Sequence, residues 1–245
     1  MFQVKRVQKR SEIEKLYALR YQVYCIEKMF LDPKDYPNGL ESDEYDAHAI
    51  HIGAYGDDGT LYGSLRLIRS TKMHFPIFDH CEVTDLPRDA NSLEYFEISR
   101  LLISKRKRAA VRAKNSFAPD QVIKARKEFA DFGISDLLSE MIRSLLVHSK
   151  QRGIKYWFAA MEPSLIRLLQ RNHFNFHPIG PMVDYYGQVM PCIASMTEIE
   201  AQMKENNKEF YFEFAKHLMD PTFGDLQETR WPPPNFMLPG QGSSL

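Results

Sequence analysis

The 245-residue sequence predicts an α/β (α+β) sandwich, in which one mixed sheet carries helices on both faces. Three observations lead there. Strand-like and helix-like segments follow one another as strand, helix, hairpin, strand, helix, strand, helix, strand. Between Phe132 and Arg152, Ile134, Leu137, Leu138, Met141, Ile142, Leu145 and Leu146 recur at the three-four spacing of an amphipathic helix. At 44% hydrophobic, the chain is also long enough to bury a sizeable core.

In chain order, "FQVKRV" (2–7) alternates as a strand. Ser11 is the expected N-cap of the first helix, with Glu14 completing a capping box and the helix running to about Tyr24. A Pro/Gly/Asp-rich loop follows, "LDPKDYPNGLESDEYD" (31–46). "AHAIHIGAYG" and "TLYGSLRLIRS" form a hairpin through Asp57, Asp58 and Gly59, and "SLEYFEISRLLIS" (92–104) is a central strand. Residues 105–120 are basic and aperiodic; the long helix then ends at Gly153. "IKYWFAAM" is a strand, "PSLIRLLQRNHF" a helix with Pro163 in its first turn, and two short strands flank "YYGQ". The expected division is a domain over 1–195 and an appendage over 196–245, a helix followed by the Pro/Gly-rich "RWPPPNFMLPGQGSSL".

Lys plus Arg equal Asp plus Glu at 32 each, so net charge does not call for a nucleic-acid partner. Cys25, Cys81 and Cys192 form no CxxC pair and are odd in number, which suggests reduced thiols and a cytoplasmic location. The first residues lack a signal-like apolar run, and no window approaches a membrane span of roughly 18 apolar residues. No metal site is expected. His48 and His51 are three apart on a predicted strand and point to opposite faces, and His173 and His177 have no matching carboxylate.

The charges inside apolar strands need explaining: Arg66 in "GSLRLI", and Glu97 with Arg100 in "YFEISRLL". Either they alternate toward water, or the acids of "GLESDEYDAH" (39–48) fold back onto them.

The stretches "RYQVYCIEKMF", "GLESDEYD", "GSLRLI", "FDHCEVTDLP" and "EISRLLISK" resemble, in order and spacing, the N-terminal half of acyl-homoserine-lactone (autoinducer) synthases. The likeness covers roughly residues 1–180. It implies a GNAT-like fold, with a mainly antiparallel central sheet. With "FHPIGPMVDYYGQVMP" added, the sequence is similar to the acyltransferases associated with PEP-CTERM/exosortase systems and to N-acyl amino acid synthases. That implies an acyl-carrier-protein donor, whose acyl-phosphopantetheine is the donor group, no tightly bound cofactor, and a small amine or amino acid as acceptor. Carried over by position, the family pattern places substrate contacts at Arg20, Tyr24, Phe30 and Arg100, and its acids at Glu41, Asp43 and Asp46. Its strand arginine falls on Arg66 and its glutamate on Glu97. Tyr24 and Phe30 stand where that family usually has phenylalanine and tryptophan, so the resemblance supports acyl transfer better than it supports S-adenosylmethionine as the acceptor.

Amide formation from a thioester requires a free amine, and an α-amino group has a pKa of roughly 7.7–8.0. Glu97, expected to be buried, is the first candidate base and Asp43 the second. Glu41 and Asp46 are assigned to ion pairs with Arg100 and Arg66. "FADFGISD" has only Gly133 where coenzyme A enzymes of this fold carry several glycines. A carrier protein instead needs a basic docking surface, expected at Lys105, Arg106, Lys107, Arg108 and Arg112, with Lys150 and Arg152. The alternatives are an autoinducer synthase using S-adenosylmethionine, a non-catalytic acyl-binding regulatory module, and a nucleic-acid binder using residues 105–114.

Overall fold

A computed structural model describes residues 2–69, 75–86, 94–104 and 122–219. Strand β1 (Phe2–Val7) leads into α1 (Arg10–Tyr21), which continues as a wider π-helical turn over Gln22–Glu27. Two short 3-10 turns, Pro33–Asp35 and Glu44–His48, precede the hairpin β2 (Ala49–Gly56) and β3 (Leu61–Arg69). Next come α2 (Pro76–His80), β4 (Tyr95–Ile103), α3 (Val122–Gln151), β5 (Tyr156–Met161) and α4 (Pro163–Arg171). The chain continues through β6 (His177–Pro178), β7 (Val183–Asp184) and β8 (Gln188–Ser195) to α5 (Met196–Asn206) and α6 (Lys208–Met219).

Among the described residues the sheet has eight strands in the order β1-β2-β3-β4-β5-β8-β6, with β7 on β8. Every neighbouring pair is antiparallel except β4 and β5. Their parallel ladder stops at Glu97 opposite Phe158, so the rest of β4 has no β5 partner and the sheet opens into a cleft there.

The period-2 alternation of the strands decides what each face buries. Ile52, Leu65, Leu67, Phe96 and Ile98 point toward Leu137, Met141, Ile142 and Leu145 of α3. Val7, Tyr55, Leu61 and Leu102 meet Ile13, Leu16, Tyr17 and Leu19 of α1 on the other face. A third cluster joins Tyr45, Ile77, Tyr95 and Phe158 beneath the acidic loop. Met196, Ile199, Met203, Phe210 and Phe214 belong to the α3-side core, so the boundary expected at residue 195 does not divide the packing. Among the described residues no helix is long and apolar enough to cross a membrane.

Several expected details differ. α1 begins at Arg10, with Lys9 at its N-cap position and no side-chain cap bond. Ser11 therefore lies within the first turn rather than at the cap, and Glu14 pairs with Arg10 at 3.1 Å. The α-helix stops at Tyr21 because the next turn widens. α3 starts at Val122 rather than near Phe132, and the helix expected after Met196 is two helices broken at Asn207. His48 sits in the 3-10 turn, not on a strand. His177 does have a carboxylate partner, Glu198 at 2.8 Å, brought across by β8 and α5.

Gly180 is required by close approach: a Cβ there would stand 2.0 Å from the Glu82 carbonyl oxygen. The same contact zone holds the 2.7 Å bond from Thr84 N–H to Ile179 O. Gly180→Ala should cost about 1–3 kcal/mol through this overlap, read as a lowered urea midpoint with an unchanged m-value.

Candidate active site

The acids of residues 41–46 fold onto three arginines, and the six charges close into one ring. Arg20 bonds Glu41 through Nε and Asp46 through both terminal nitrogens, at 2.7 and 3.0 Å. Arg66 bonds Asp46 at 3.0 Å and also Asp43. Arg100 closes the circuit, with Glu41 at 2.9 and 3.1 Å and Asp43 at 2.9 Å. Each guanidinium thus holds two carboxylates and each carboxylate two guanidiniums. Arg20, Glu41, Asp46, Arg66 and Arg100 are all buried. Burial by itself would push Glu41 and Asp46 up, but their arginines outweigh it and hold both below the ordinary carboxylate range.

Local structure prepares the loop for this. Asp43 caps the 44–48 turn by accepting from Tyr45 N–H at 3.0 Å, and Asp46 accepts from Asp43 N–H at 2.8 Å, a reciprocal capping box. Glu44, the remaining acid, is exposed. His51 donates through Nε2 to the Asp46 carbonyl at 3.2 Å; burial drops its pKa to about 4, so it is neutral beside the ring.

Arg100 reaches the ring only because β4 is irregular. Arg66 stands opposite Ser99 and Ser64 opposite Leu102, so β4 has one residue more than β3 between those pairs. Arg100 lies in this bulge at φ 51°, a left-handed conformation costing a non-glycine residue roughly 1–3 kcal/mol. Before the bulge Glu97 and Ser99 share the ring's face; after it Leu102 does.

Glu97 stands where β4 parts from β5 and is 2% exposed. It accepts from the Ile77 backbone N–H at 3.0 Å. Burial raises its pKa to about 8, against the pull of that N–H and of Arg66 and Arg100. The cleft beyond it has a volume of about 500 Å3. Leu138, Ile142, Met161, Leu165, Leu168 and Phe176 make its walls apolar.

A family described as an acetyltransferase (GNAT) domain matches residues 19–114. TofI, solved in a ternary complex with an inhibitor and MTA, superposes with a TM-score of 0.59 at 18% identity, covering 83% of this chain and 96% of that one. The fold is GNAT-like. BjaI, a CoA-dependent acyl-homoserine lactone synthase with SAM and isopentyl-CoA bound, gives 0.56 at 18% identity over 83% and 88% of the two chains. FeeM, an N-acyl amino acid synthase from uncultured soil microbes, gives 0.50 at 12% identity over 82% and 94%. No curated protein matches the chain.

The GNAT-like cleft sorts the sequence-derived candidates. Glu97, Tyr24, Phe30 and Arg100 line it. Arg20 does not; its guanidinium is held by Glu41 and Asp46, which places it in the ring and outside the cleft lining. Asp43, the second candidate base, is likewise held between Arg66 and Arg100 and lies outside the cleft lining. Glu41 pairs with Arg100 and Asp46 with Arg66, as assigned, and both also share Arg20. Lys105, Arg106, Lys107, Arg108 and Arg112 lie outside the described residues. Lys150 is paired with Glu200, and Arg152 donates to the His148 carbonyl.

Three contributors went unnoticed in the sequence. Ile77 N–H reaches Glu97 because α2 packs on β5 at Phe158, the residue paired with Glu97, which only the tertiary fold reveals. Tyr186, at φ 54° in the β7–β8 turn, places its ring 4.9 Å from the Arg100 guanidinium, with Tyr24 at 5.6 Å. Lys28 and Glu162 form an ion pair across the cleft mouth. The "YYGQ" turn signal marked Tyr186's segment but not its partner.

Removing one acid from the ring leaves a buried guanidinium short of its charge. Asp46→Ala should lower unfolding free energy by about 3–5 kcal/mol, whereas Glu44→Ala should stay within about 0.5 kcal/mol of the parent. Paired chemical denaturation curves measure both.

Proposed function

We propose that the protein is an N-acyltransferase that moves a fatty acyl group from an acyl-carrier-protein thioester to the amino group of an amino acid or similar small amine. Glu97 at the head of the apolar cleft carries the reading. Its pKa of about 8 matches that of an α-amino group, roughly 7.7–8.0, so a proton passes between them at little cost. The amine nitrogen gives its proton to the Glu97 carboxylate, attacks the thioester carbonyl and forms the C–N bond. The C–S bond then breaks, and the departing sulfur takes up a proton, leaving amide and thiol. Backbone N–H groups of β4 beyond Glu97, where β5 no longer pairs, are the candidate donors to the developing oxyanion. The cleft accepts the acyl chain, and the Tyr24–Arg100–Tyr186 stack shapes the acceptor side.

FeeM's description as an N-acyl amino acid synthase supports this acceptor class, and BjaI's as CoA-dependent keeps coenzyme A as the competing donor. Three buried, unbridged cysteines agree with a reduced, cytoplasmic setting. The second reading is autoinducer synthesis from S-adenosylmethionine, favoured by the SAM in BjaI and the MTA in TofI. Incubating the purified protein with acyl-carrier protein or acyl-CoA and a panel of amines, with products read by mass spectrometry, decides between them. N-acyl amino acid with free carrier thiol is the expected result; methylthioadenosine among the products overturns the acceptor.

Glu97→Gln should abolish turnover while leaving acyl-donor binding intact; full activity would reject Glu97 as the base. Wild-type turnover should rise with pH and level above about 8, as Glu97 ionises. The stability sign is opposite. The folded state holds the Glu97 proton up to about pH 8 while the unfolded chain releases it near 4.5, so this residue's contribution falls as pH rises across that window. The Gln variant, free of this titration, should gain on the parent by up to about 1.4 kcal/mol per pH unit there, measured by urea unfolding at stepped pH.

A further inference from the structure

We propose that the groove along β1, an edge strand among the described residues, is a second binding site, taking a small ligand rich in anionic oxygens. The groove has a volume of about 1540 Å3 and shares no lining residue with the reaction cleft. Its floor is β1, its walls are α1 on one side and α3 with α6 on the other, and the β2–β3 turn closes one end.

Its polar chemistry is unbalanced in one direction. Four buried side-chain atoms on its lining have no hydrogen-bond partner among the described residues: Gln22 Nε2, Tyr55 Oη, Arg143 Nε and His148 Nδ1. Gln22 Nε2 and Arg143 Nε can only donate, and the Tyr55 hydroxyl and the His148 ring can donate as well. Tyr55 and His148 are 8% and 4% exposed, so bulk water does not serve them. Buried donors are ordinarily matched by acceptors, and a cluster of four in one groove is outside that habit.

The charges lean the same way. Glu12, Glu140 and Glu213, acids of the lining, are engaged by Lys5, Arg143 and Lys216, and Asp57 also has a partner. Arg6 and Lys15 line the groove without an ion-pair partner among the described residues. Arg6 also feels the positive charge of Arg152, and both arginines disfavour a charge on His148, whose pKa burial takes to about 4. An oxyanion placed among Arg6, Lys15, Arg143 and His148 would satisfy the idle donors and offset the unpaired cations. Phosphate groups and clustered carboxylates both supply that chemistry.

The test is calorimetric titration of the full chain at fixed ionic strength with sodium pyrophosphate and, separately, with citrate. Saturable binding of either is expected, weakened at least tenfold in both Arg6→Gln and Lys15→Gln. Lys15 is exposed, so its variant keeps the fold if Arg6→Gln does not. Binding of pyrophosphate alone assigns a phosphorylated ligand; binding of citrate alone assigns a polycarboxylate. Absence of saturable binding with both probes overturns the proposal, as does binding that survives both substitutions, which would place the anion elsewhere.

Discussion

The structure depends on the closed ring of Arg20, Arg66 and Arg100 with Glu41, Asp43 and Asp46. Six charges in a buried space would be costly apart, because each ion loses several kcal/mol of solvation on leaving water. Joined alternately they sum to zero, and every member is shared by two of the opposite sign. The ring ties α1, the loop after it, β3 and β4 at a single point. It thereby holds a Pro/Gly-rich loop with little apolar content in one conformation, and it offsets the strain of Arg100 at positive φ.

That constraint shapes the cleft. Arg66 and Arg100 lie close enough to Glu97 to favour its charged form, yet their charge is already neutralised by the three acids, so burial prevails and Glu97 remains a weak acid. A carboxyl tuned in this way is suited to exchanging a proton with an amine near neutral pH. Arg100 also carries the contact outward: its guanidinium faces Tyr24 from the π-helical turn and Tyr186 from the β7–β8 turn. The widened turn after α1 and the tight glycine turn before β8, where Phe30 packs on Gly187, thus frame one wall.

Much of this was legible in the sequence. Alternation and three-four spacing are local properties, and they located the strands, the hairpin and α3's buried face. A charge inside an apolar strand is a demand for a partner, and the acid-rich loop was the available supply; that reasoning joined Glu41 to Arg100 and Asp46 to Arg66. Helix ends were less legible: the N-cap position falls on Lys9, two residues before the expected Ser11, and is held by no side-chain cap bond that the sequence could signal. His177 and Glu198 were invisible as a pair, since 21 positions separate them and only the β8–α5 junction brings them together.

By itself, the sequence determined the order of elements, the residues that must be buried, and the opposite charges that must meet. It could not determine the face on which Arg100 lies. In a regular strand Glu97 and Arg100, three apart, point to opposite sides of the sheet. The tertiary structure inserts one unpaired residue into β4, reverses the alternation after Ser99, and puts both side chains on the ring's side. The physical reason is that a bulge depends on the register between strands, and here the energy that sustains it comes from Glu41 and Asp43, carboxylates more than 50 residues earlier in the chain.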